Sequence, residues 1–404
     1  MKQRFIQRLS LLSATAAICL TTHAVDMENV YINGFISQGY LKSSDNRLMG
    51  DTDDGTWEFN EAAISVKALL ADNLSAGIQL MSRDFGNSGN NELKVDWAFL
   101  DYRLNDSVGV RVGKFKKPEG IYNSIRDADA VRTSILLPQG IYNERVRDIN
   151  IAIQGVGLYG FADLAGAGSL DYVIYLGNQP VDKNEPIIKD ALLAGFYGIT
   201  NGGSIEFKYS AGTQLFWNTP ITGFRLGASM NTALIEINGT NQAYPWFQSS
   251  ITEEELKVPL KYILSAEYQR ENWTFTAEYM IEPIEAKNSP IGGTPTPMGF
   301  PSGGEYDIET ESYYVQLTYQ LSEKWQIGSY YSWSYGSANG ILDRNNPAQH
   351  LKDWALSAKH AINEWWVVKA EFHLFQGYQG VEADESGVFE KDWNLIALKS
   401  TISF

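Results

Sequence analysis

The feature that most constrains the fold is an alternation of apolar and polar residues with a period of two, which recurs along most of the chain. Between Trp273 and Glu282, the odd-numbered residues are apolar and include Phe275 and Tyr279, while even-numbered residues such as Glu278 are mostly polar. A period of two indicates extended strands with one apolar face and one wet face. Aromatic residues at the ends of the apolar face are typical of strands in a transmembrane β-barrel.

The N-terminal segment is predicted to be a secretory signal and not part of the fold. Three basic residues precede the apolar stretch Leu9–Leu20, which is too short to span a bilayer, and Ala24 ends a small-residue cleavage site. We therefore divide the chain into a signal peptide, residues 1–24, and a single barrel domain, residues 25–404. Cleavage removes Cys19, the only cysteine, so the mature chain is expected to have no disulfide and no thiolate metal site.

The composition excludes several classes of function. The chain has 48 acidic and 32 basic residues, and its net charge of −16 argues against a nucleic-acid partner. The mean hydropathy is −0.24, and the mature chain has no apolar stretch of about 20 residues, so we expect no membrane-spanning helix. The 36 glycines, 22 tyrosines and 11 tryptophans are typical of barrels, in which glycine relieves crowding and rings lie at the headgroup level.

Turn signals divide the chain into about sixteen strands that are joined alternately by tight turns and longer loops. The first strand is predicted at Val30–Tyr40 and the last at Trp393–Phe404, and an even number lets the last strand close on the first. Tight polar turns are predicted near residues 71–73, 105–106, 162–168, 218–222, 270–272, 322–324 and 362–364. Longer connections are predicted near residues 41–56, 85–92, 116–148, 178–203, 238–257, 283–307, 337–352 and 377–391. A linker between two domains remains an alternative reading of residues 288–304.

The wet faces of the early strands and of the last strand carry cations that point into the predicted lumen. Because the last strand pairs with the first, these cations should share one arc of the wall, which would favour anions in a narrow pore. Simple solvation of a wet interior is the alternative explanation for each charge. The predicted arc consists of Lys67, Arg83, Arg103, Arg111 and Lys399.

The third long loop, residues 116–148, combines many charges with the apolar run Ile135-Leu136-Leu137. An exposed loop has no reason to keep such a run, so we predict that this loop folds into the lumen and packs on the wall. Its charges would then line the narrowest part of the pore, and an external loop covering the barrel mouth is the alternative. The candidate constriction residues are Glu119, Arg126, Asp127, Asp129 and Arg132.

Catalytic and cofactor motifs are scarce. The mature histidines are His350, His360 and His373, which have no metal-ligand spacing. A pair of His373 with Ser357 or Ser265 remains open, because catalytic groups assemble in space. The sequence contains no phosphate loop and no dinucleotide fingerprint, so no cofactor and no metal is expected.

Three short stretches resemble the Gram-negative outer-membrane porins: the opening Tyr31-Ile32-Asn33-Gly34-Phe35, the segment Arg111–Pro118 before the third loop, and the terminal Phe404. The resemblance implies a trimer of 16-stranded barrels in the outer membrane, in contact with lipid and lipopolysaccharide, each with a water-filled pore. It also implies a cationic wall opposite an acidic third loop. The chain departs from this pattern in two ways. Its loop 85–92 is short for a latch onto a neighbouring subunit, and its third loop carries about as many cations as anions.

The leading functional hypothesis is passive diffusion of small hydrophilic solutes and ions through the pore. A second hypothesis is a substrate-specific channel for phosphate or an organic acid, because arginine suits bidentate contact with oxyanions. A third, remote hypothesis is an outer-membrane barrel enzyme such as a lipase or protease. The sequence leaves the ion preference open.

Overall fold

The computed structural model describes residues 27–86, 88–181, 199–241, 250–291 and 304–404 as a closed barrel. Sixteen strands follow one another in chain order, each pairs antiparallel with the next, and the last pairs with the first. The predicted all-β, sixteen-stranded, up-and-down barrel is therefore confirmed, while the predicted signal peptide lies outside the described residues. The strands are β1 (Val30–Ser43), β2 (Asn60–Ala71), β3 (Leu74–Asp84), β4 (Lys94–Asn105), β5 (Val108–Lys116), β6 (Ala152–Asp163), β7 (Ser169–Asn178), β8 (Ile199–Asn218), β9 (Phe224–Asn241), β10 (Ser250–Arg270), β11 (Trp273–Ile291), β12 (Gly304–Gln320), β13 (Trp325–Ala338), β14 (His350–Ala361), β15 (Trp366–Gln376) and β16 (Asp392–Ser403).

The seam between β1 and β16 closes the sheet down to the last residue. The backbone N–H of Gly34 donates to the Phe404 carbonyl at 2.8 Å, and the Phe404 N–H donates back at 2.9 Å. A Cβ atom on Gly34 would lie 2.6 Å from the Phe404 ring, so only glycine fits beneath that ring. Closure leaves no unpaired edge, which is the condition for a sheet to exist in hydrocarbon.

The period of two separates a lipid-facing surface from an interior surface. On β16, Leu395 and Ala397 are 0% exposed, while Ile396 and Leu398 are 44% and 46% exposed. The exposed set is apolar and the opposite set includes the buried ammonium of Lys399, as expected for a barrel in a bilayer.

Aromatic rings collect on the outer surface just past the tight turns. Trp273 packs on Tyr319 with 4.3 Å between ring centroids, and Trp325 stacks on His360 at 4.2 Å. These rings form a belt at the tight-turn end of the barrel, where a bilayer interface is expected.

The predicted tight turns all fall at strand junctions. Several of the predicted long loops, however, include residues that form strands in the structure. The predicted loops 238–257 and 283–307 are wrong in large part, because β9, β10, β11 and β12 continue through them as paired strand. The extensions carry charged pairs such as Lys257 and Glu285, 3.2 Å apart, so they lack the apolar face on which the strand prediction depends. Residues 182–198, 242–249 and 292–303, which include most of the predicted 288–304 loop, lie outside the described residues.

Three loops fold into the barrel and build an apolar cluster there, which we call the lumen core. Loop L1 is residues 44–59, loop L3 is residues 117–151 and loop L8 is residues 377–391. L1 and L8 are joined by reciprocal backbone hydrogen bonds of 2.9 Å between Arg47 and Glu382. The lumen core consists of Leu41, Leu48, Met49, Phe59, Phe85, Ile135, Leu136, Leu351, Phe375, Val381, Trp393, Leu395 and Ala397.

In the described residues, helical structure is confined to short turns, the largest being α1 (Arg147–Asn150) within L3. None of the helices in the described part of the chain is long and apolar enough to cross a membrane.

Candidate functional site

Loop L3 crosses the lumen and contacts opposite walls of the barrel. Near its start, Glu119 pairs with Lys261 of β10 at 2.6 Å. Further along, Asp129 pairs with Lys399 of β16 at 2.8 Å. The loop therefore joins two distant strands across the interior of the barrel.

The first attachment is an ion-pair cluster around Glu119. Its carboxylate lies 2.6 Å from both the Lys117 and the Lys261 ammonium groups, and Lys261 also pairs with Glu282 at 3.2 Å. Burial alone would raise the pKa of Glu119, but the two ammonium groups outweigh it and hold this pKa at about 2. Glu119 is therefore charged at every physiological pH and binds the loop to β10.

The second attachment is a buried carboxylate on β11. Glu278 accepts hydrogen bonds from the backbone N–H of Ile121 at 2.9 Å and from the hydroxyl groups of Ser265 and Tyr314 at 2.6 and 2.8 Å. The hydroxyl of Tyr142, from the far part of L3, also donates to it. Burial and the neighbouring Glu278 carboxylate raise the pKa of Tyr142 well above its ordinary value, so it stays a donor.

The third attachment is Asp129, a carboxylate shared by several donors. Lys399 lies 2.8 Å away, Lys369 lies 3.4 Å away and Arg132 lies 3.2 Å away, and the Thr401 hydroxyl donates at 2.7 Å. Burial would raise the pKa of Asp129, but the three cations hold it well below its ordinary value. This cluster joins the loop to β15 and β16.

The apolar run of L3 is fixed by a carboxylate on β15. Glu371 accepts hydrogen bonds from the backbone N–H groups of Ile135 and Leu136 at 2.8 and 2.9 Å. His373 lies between Glu371 and Asp353, with its ring nitrogens 2.9 and 3.0 Å from those carboxylates. Glu371 thereby satisfies backbone groups that are buried when the run enters the lumen core.

Asp127, Glu144 and Arg147 of L3 bind the loop to β3, β4 and β5. Arg147 contacts Asp127 at 2.5 Å and Asp96 of β4 at 3.2 Å, and Lys116 of β5 also pairs with Asp127. Arg83 of β3 lies 3.4 Å from Glu144 of the loop. Each buried charge on this side therefore has a partner of opposite sign, as burial requires.

The five cations of the predicted arc have different surroundings. Lys399 and Arg83 are buried and paired with L3 carboxylates, and Arg111 is paired with Asp101 at 2.8 Å. Lys67 and Arg103 are exposed near the tight-turn end of the barrel. Lys399 and Arg83 therefore hold the loop in place and do not form a free cationic wall.

The five predicted constriction residues, Glu119, Arg126, Asp127, Asp129 and Arg132, are all buried. Four of them have close partners in the clusters described above, and Arg126 pairs with Glu144 at 2.9 Å. Arg132 differs, because its Nε and Nη1 atoms make no hydrogen bond to any described residue. It lines a void of about 10 Å³ between L3 and the wall, together with Glu61, Glu144 and Lys399.

Larger cavities border L3, and two of them lie on opposite sides of the loop. Another, of about 480 Å³, is lined by Arg83 of β3 and Arg147 of L3. The cavity on the tight-turn side has a volume of about 850 Å³ and reaches from Asp127 of the loop to Phe404 at the barrel rim. The cavity on the long-loop side has a volume of about 210 Å³ and is lined by Arg126, Lys261 and Val381. L3 therefore divides the lumen into two vestibules.

Sequence reasoning left out two wall carboxylates that the loop clusters use, Glu61 and Asp96. Glu61 pairs with Lys399 at 2.7 Å, and its position on the wet face of β2 was a usable signal. Asp96 has no such signal, because a register shift between Gln79 and Leu80 changes which residues of β4 point inward.

Among the described residues, His373 makes no hydrogen bond to either candidate serine. Its ring nitrogens are bound to Asp353 and Glu371, Ser265 donates to Glu278 on another strand, and Ser357 lies opposite Glu371 on the neighbouring strand. Within the described ranges, no cluster of His, Cys, Asp and Glu side chains could hold a metal ion.

Comparisons with solved structures identify the fold. The chain is similar to OmpT, an outer membrane protein of Vibrio cholerae in a trimer form, with a TM-score of 0.56 and 13% identity over 93% of this chain and 99% of that chain. It is similar to the outer membrane channel DcaP of Acinetobacter baumannii, with a TM-score of 0.56 and 10% identity over 94% and 99% of the two chains. It is also similar to an anion-selective porin from Comamonas acidovorans, with a TM-score of 0.53 and 13% identity over 93% and 99%.

These comparisons confirm, at the level of fold, the resemblance to the sixteen-stranded porins. No protein-family model matches the chain, and the comparison with curated proteins also gives no match.

The pKa of Glu119 predicts a pH-dependent contribution to stability. Its pKa falls from 4.5 to about 2 in the folded protein, so its ion pairs stabilise the fold fully above pH 4.5 and are lost as the pH falls towards 2. Glu119→Gln should lower the free energy of unfolding near pH 7 by about 3 kcal/mol, measured by urea titration in detergent micelles.

The matched control is Glu206→Gln, which removes a carboxylate from an exposed pair with Lys208 and should change stability by less than about 1 kcal/mol. The difference between the parent and Glu119→Gln should shrink as the pH is lowered through the window from 4.5 to 2. A difference that is the same at all pH values would contradict this account.

Proposed function

We propose that the protein is an integral outer-membrane channel through which small hydrophilic solutes and ions diffuse passively. The observation that carries the proposal is a closed barrel with an apolar outer surface and a vestibule on each side of an internal loop. Passive diffusion through such a barrel needs no energy source. The width and the charge of the pore decide which solutes pass. The fold of the porins supports this reading.

The position of L3 supports selection of small solutes. A solute that passes between the vestibules must pass the loop, and the void beside Arg132 has room for about one water molecule. The loop is held by buried ion pairs at several strands, so the passage is expected to have a fixed width. We therefore propose a narrow channel with a small unitary conductance.

The outer surface supports a homotrimer. Exposed tryptophans lie on the outer faces of β8, β11, β13, β14 and β15, for example Trp217, Trp273 and Trp354. The outer faces of β1 to β5 are mainly aliphatic and small, with residues such as Ile64 and Val112. Aromatic belts suit a lipid interface, so the aliphatic face is the one that suits contact with other copies, while the remainder meets lipid and lipopolysaccharide.

In planar lipid bilayers, the purified protein should produce stepwise increases in ion current, because each barrel carries one aqueous path. A trimer should close in three equal current steps at high voltage. Protein unfolded by heat before addition is the control and should give no steps. Absence of ion flux from correctly folded protein would overturn the channel, and closure in single steps only would overturn the trimer.

A specific anion channel is the second candidate, and Arg132 favours it. Its side chain is 6% exposed, and two of its guanidinium nitrogens are free of hydrogen bonds within the described structure. A small anion close to the size of one water molecule would find two donors in the void beside Arg132, with Lys399 close by. Phosphate or a carboxylate of an organic acid has the matching chemistry but is larger than the void, so it would reach Arg132 only after L3 shifts.

Replacing Arg132 tests this candidate. Arg132→Gln should shift the reversal potential in a salt gradient towards cations, with the anion-to-cation permeability ratio falling about twofold or more. Lys257→Gln removes one positive charge from an exposed pair with Glu285 and should leave the ratio unchanged. Equal ratios in the parent and in Arg132→Gln would exclude a role of Arg132 in anion selection.

A further inference from the structure

The vestibule on the tight-turn side has an aromatic wall, which a water-filled lumen does not require. Inward-facing side chains of the barrel strands from β4 to β8 present rings to this cavity of about 850 Å³. Interior positions of a porin-like barrel are expected to be polar, and apolar surface in water costs free energy. The rings that form this wall are Trp97, Phe99, Phe115, Tyr159 and Phe216, and Phe35, Tyr172 and Phe404 also line the cavity.

Packing accounts fully for one of these rings and partly for two others. Phe115 is buried against Ile153 and Tyr175, where it acts as a core residue beneath the wall. Phe99 packs against that cluster, and Phe216 packs against a second buried cluster that includes Tyr142 of L3. Trp97, Phe99, Tyr159 and Phe216 are only partly buried and remain at the cavity surface. Their exposed faces are therefore available to a solute in the vestibule.

The rings are ordered around a guanidinium group. Arg111 lies over Phe99 at 4.4 Å and over Tyr159 at 5.1 Å from the ring centroids, and Trp97 lies 5.2 Å from Phe99. A second guanidinium, that of Arg225, lies 4.9 Å from the centroid of Phe216. These contacts fix the rings in place, so a ligand would not have to order them on binding.

The wall carries no net charge at its centre. Asp101 accepts hydrogen bonds from Arg111 Nε at 2.9 Å and also from the Tyr159 hydroxyl, so the guanidinium is neutralised by a carboxylate. The amide side chains of Gln79 and Gln214, the ion pair of Lys116 with Asp127, and the carboxylate of Asp171 also line the cavity. The wall around Arg111 thus offers rings beside a neutral pair of polar groups, and Asp171 adds one negative charge to the lining.

We propose that this aromatic wall is a binding subsite for small, uncharged aromatic solutes on their way through the channel. The inference rests on the proposed channel function and names a class of solute for it. Two of the four exposed rings are phenylalanines, which stack on another aromatic ring but offer no hydrogen bond to the hydroxyl groups of a sugar. The polar surround accommodates a substituent such as an amide or a hydroxyl group.

The test uses 4-hydroxybenzamide, with cyclohexanecarboxamide as a non-aromatic probe of similar size and maltose as a sugar. Each compound is added to protein in bilayers, and the concentration that halves the channel current is measured. The aromatic amide should block at a concentration about tenfold lower than its cyclohexane counterpart.

A double variant removes two of the rings and leaves apolar side chains of similar size in their place. Phe99→Leu combined with Phe216→Leu should raise the half-blocking concentration of 4-hydroxybenzamide about tenfold, because two ring contacts are lost. Phe275→Leu, which removes an exposed ring from the apolar outer face of β11, is the matched control and should not change it.

Saturation-transfer NMR of the same compounds with the protein in detergent micelles measures binding directly. It therefore tests whether the subsite binds aromatic solutes even if no conductance is found. Absence of conductance together with ring-dependent binding would overturn only the proposed channel. Equal binding of the aromatic and cyclohexane amides, or equal binding by the parent and the double variant, would overturn the subsite. Binding of maltose that depends on Phe99 and Phe216 would overturn the assignment to aromatic solutes.

Discussion

Pairing of buried charges is the constraint on which the interior of this barrel depends. L3 brings Glu119, Asp127 and Asp129 into a space from which water is largely removed, and an unpaired charge there would cost several kcal/mol. The wall supplies the partners: Lys261 on one side, and Lys369 with Lys399 on the other. The loop can therefore lie across the lumen only in the position where each carboxylate meets its cations.

That position divides the barrel into an occupied part and an open part. The lumen core fills the space beside β14, β15, β16 and β1, with Ile135 and Leu136 of L3 inside it. The tight-turn vestibule stays open and is lined by Phe99 and Phe216. In the proposed channel, solute selection would follow from the position in which the ion pairs hold L3.

The sequence was sufficient to predict the frame of strands, because alternation and turn residues indicated their number. The run Ile135-Leu136-Leu137 was the basis for predicting an inward-folding loop, and Ile135 and Leu136 belong to the lumen core. The partners could not be predicted, because Asp129 meets Lys399 across a separation in sequence that no local pattern encodes. The inward orientation of Asp96 could not be predicted either, because it depends on a register shift between β3 and β4. The full length of strands β9 to β12 could not be predicted, because their extensions have polar residues on both faces.

The most direct test of the docked loop is thiol labelling of the intact barrel. Ser134 in L3 is 2% exposed and its carbonyl accepts a hydrogen bond from Lys369 at 3.1 Å, whereas Ser386 in L8 is exposed. With Cys19 replaced by alanine, Ser386→Cys should react with a maleimide-polyethylene glycol reagent, and Ser134→Cys should stay unlabelled until the barrel is unfolded. Equally fast labelling at both positions would place the loop outside the lumen and contradict this account.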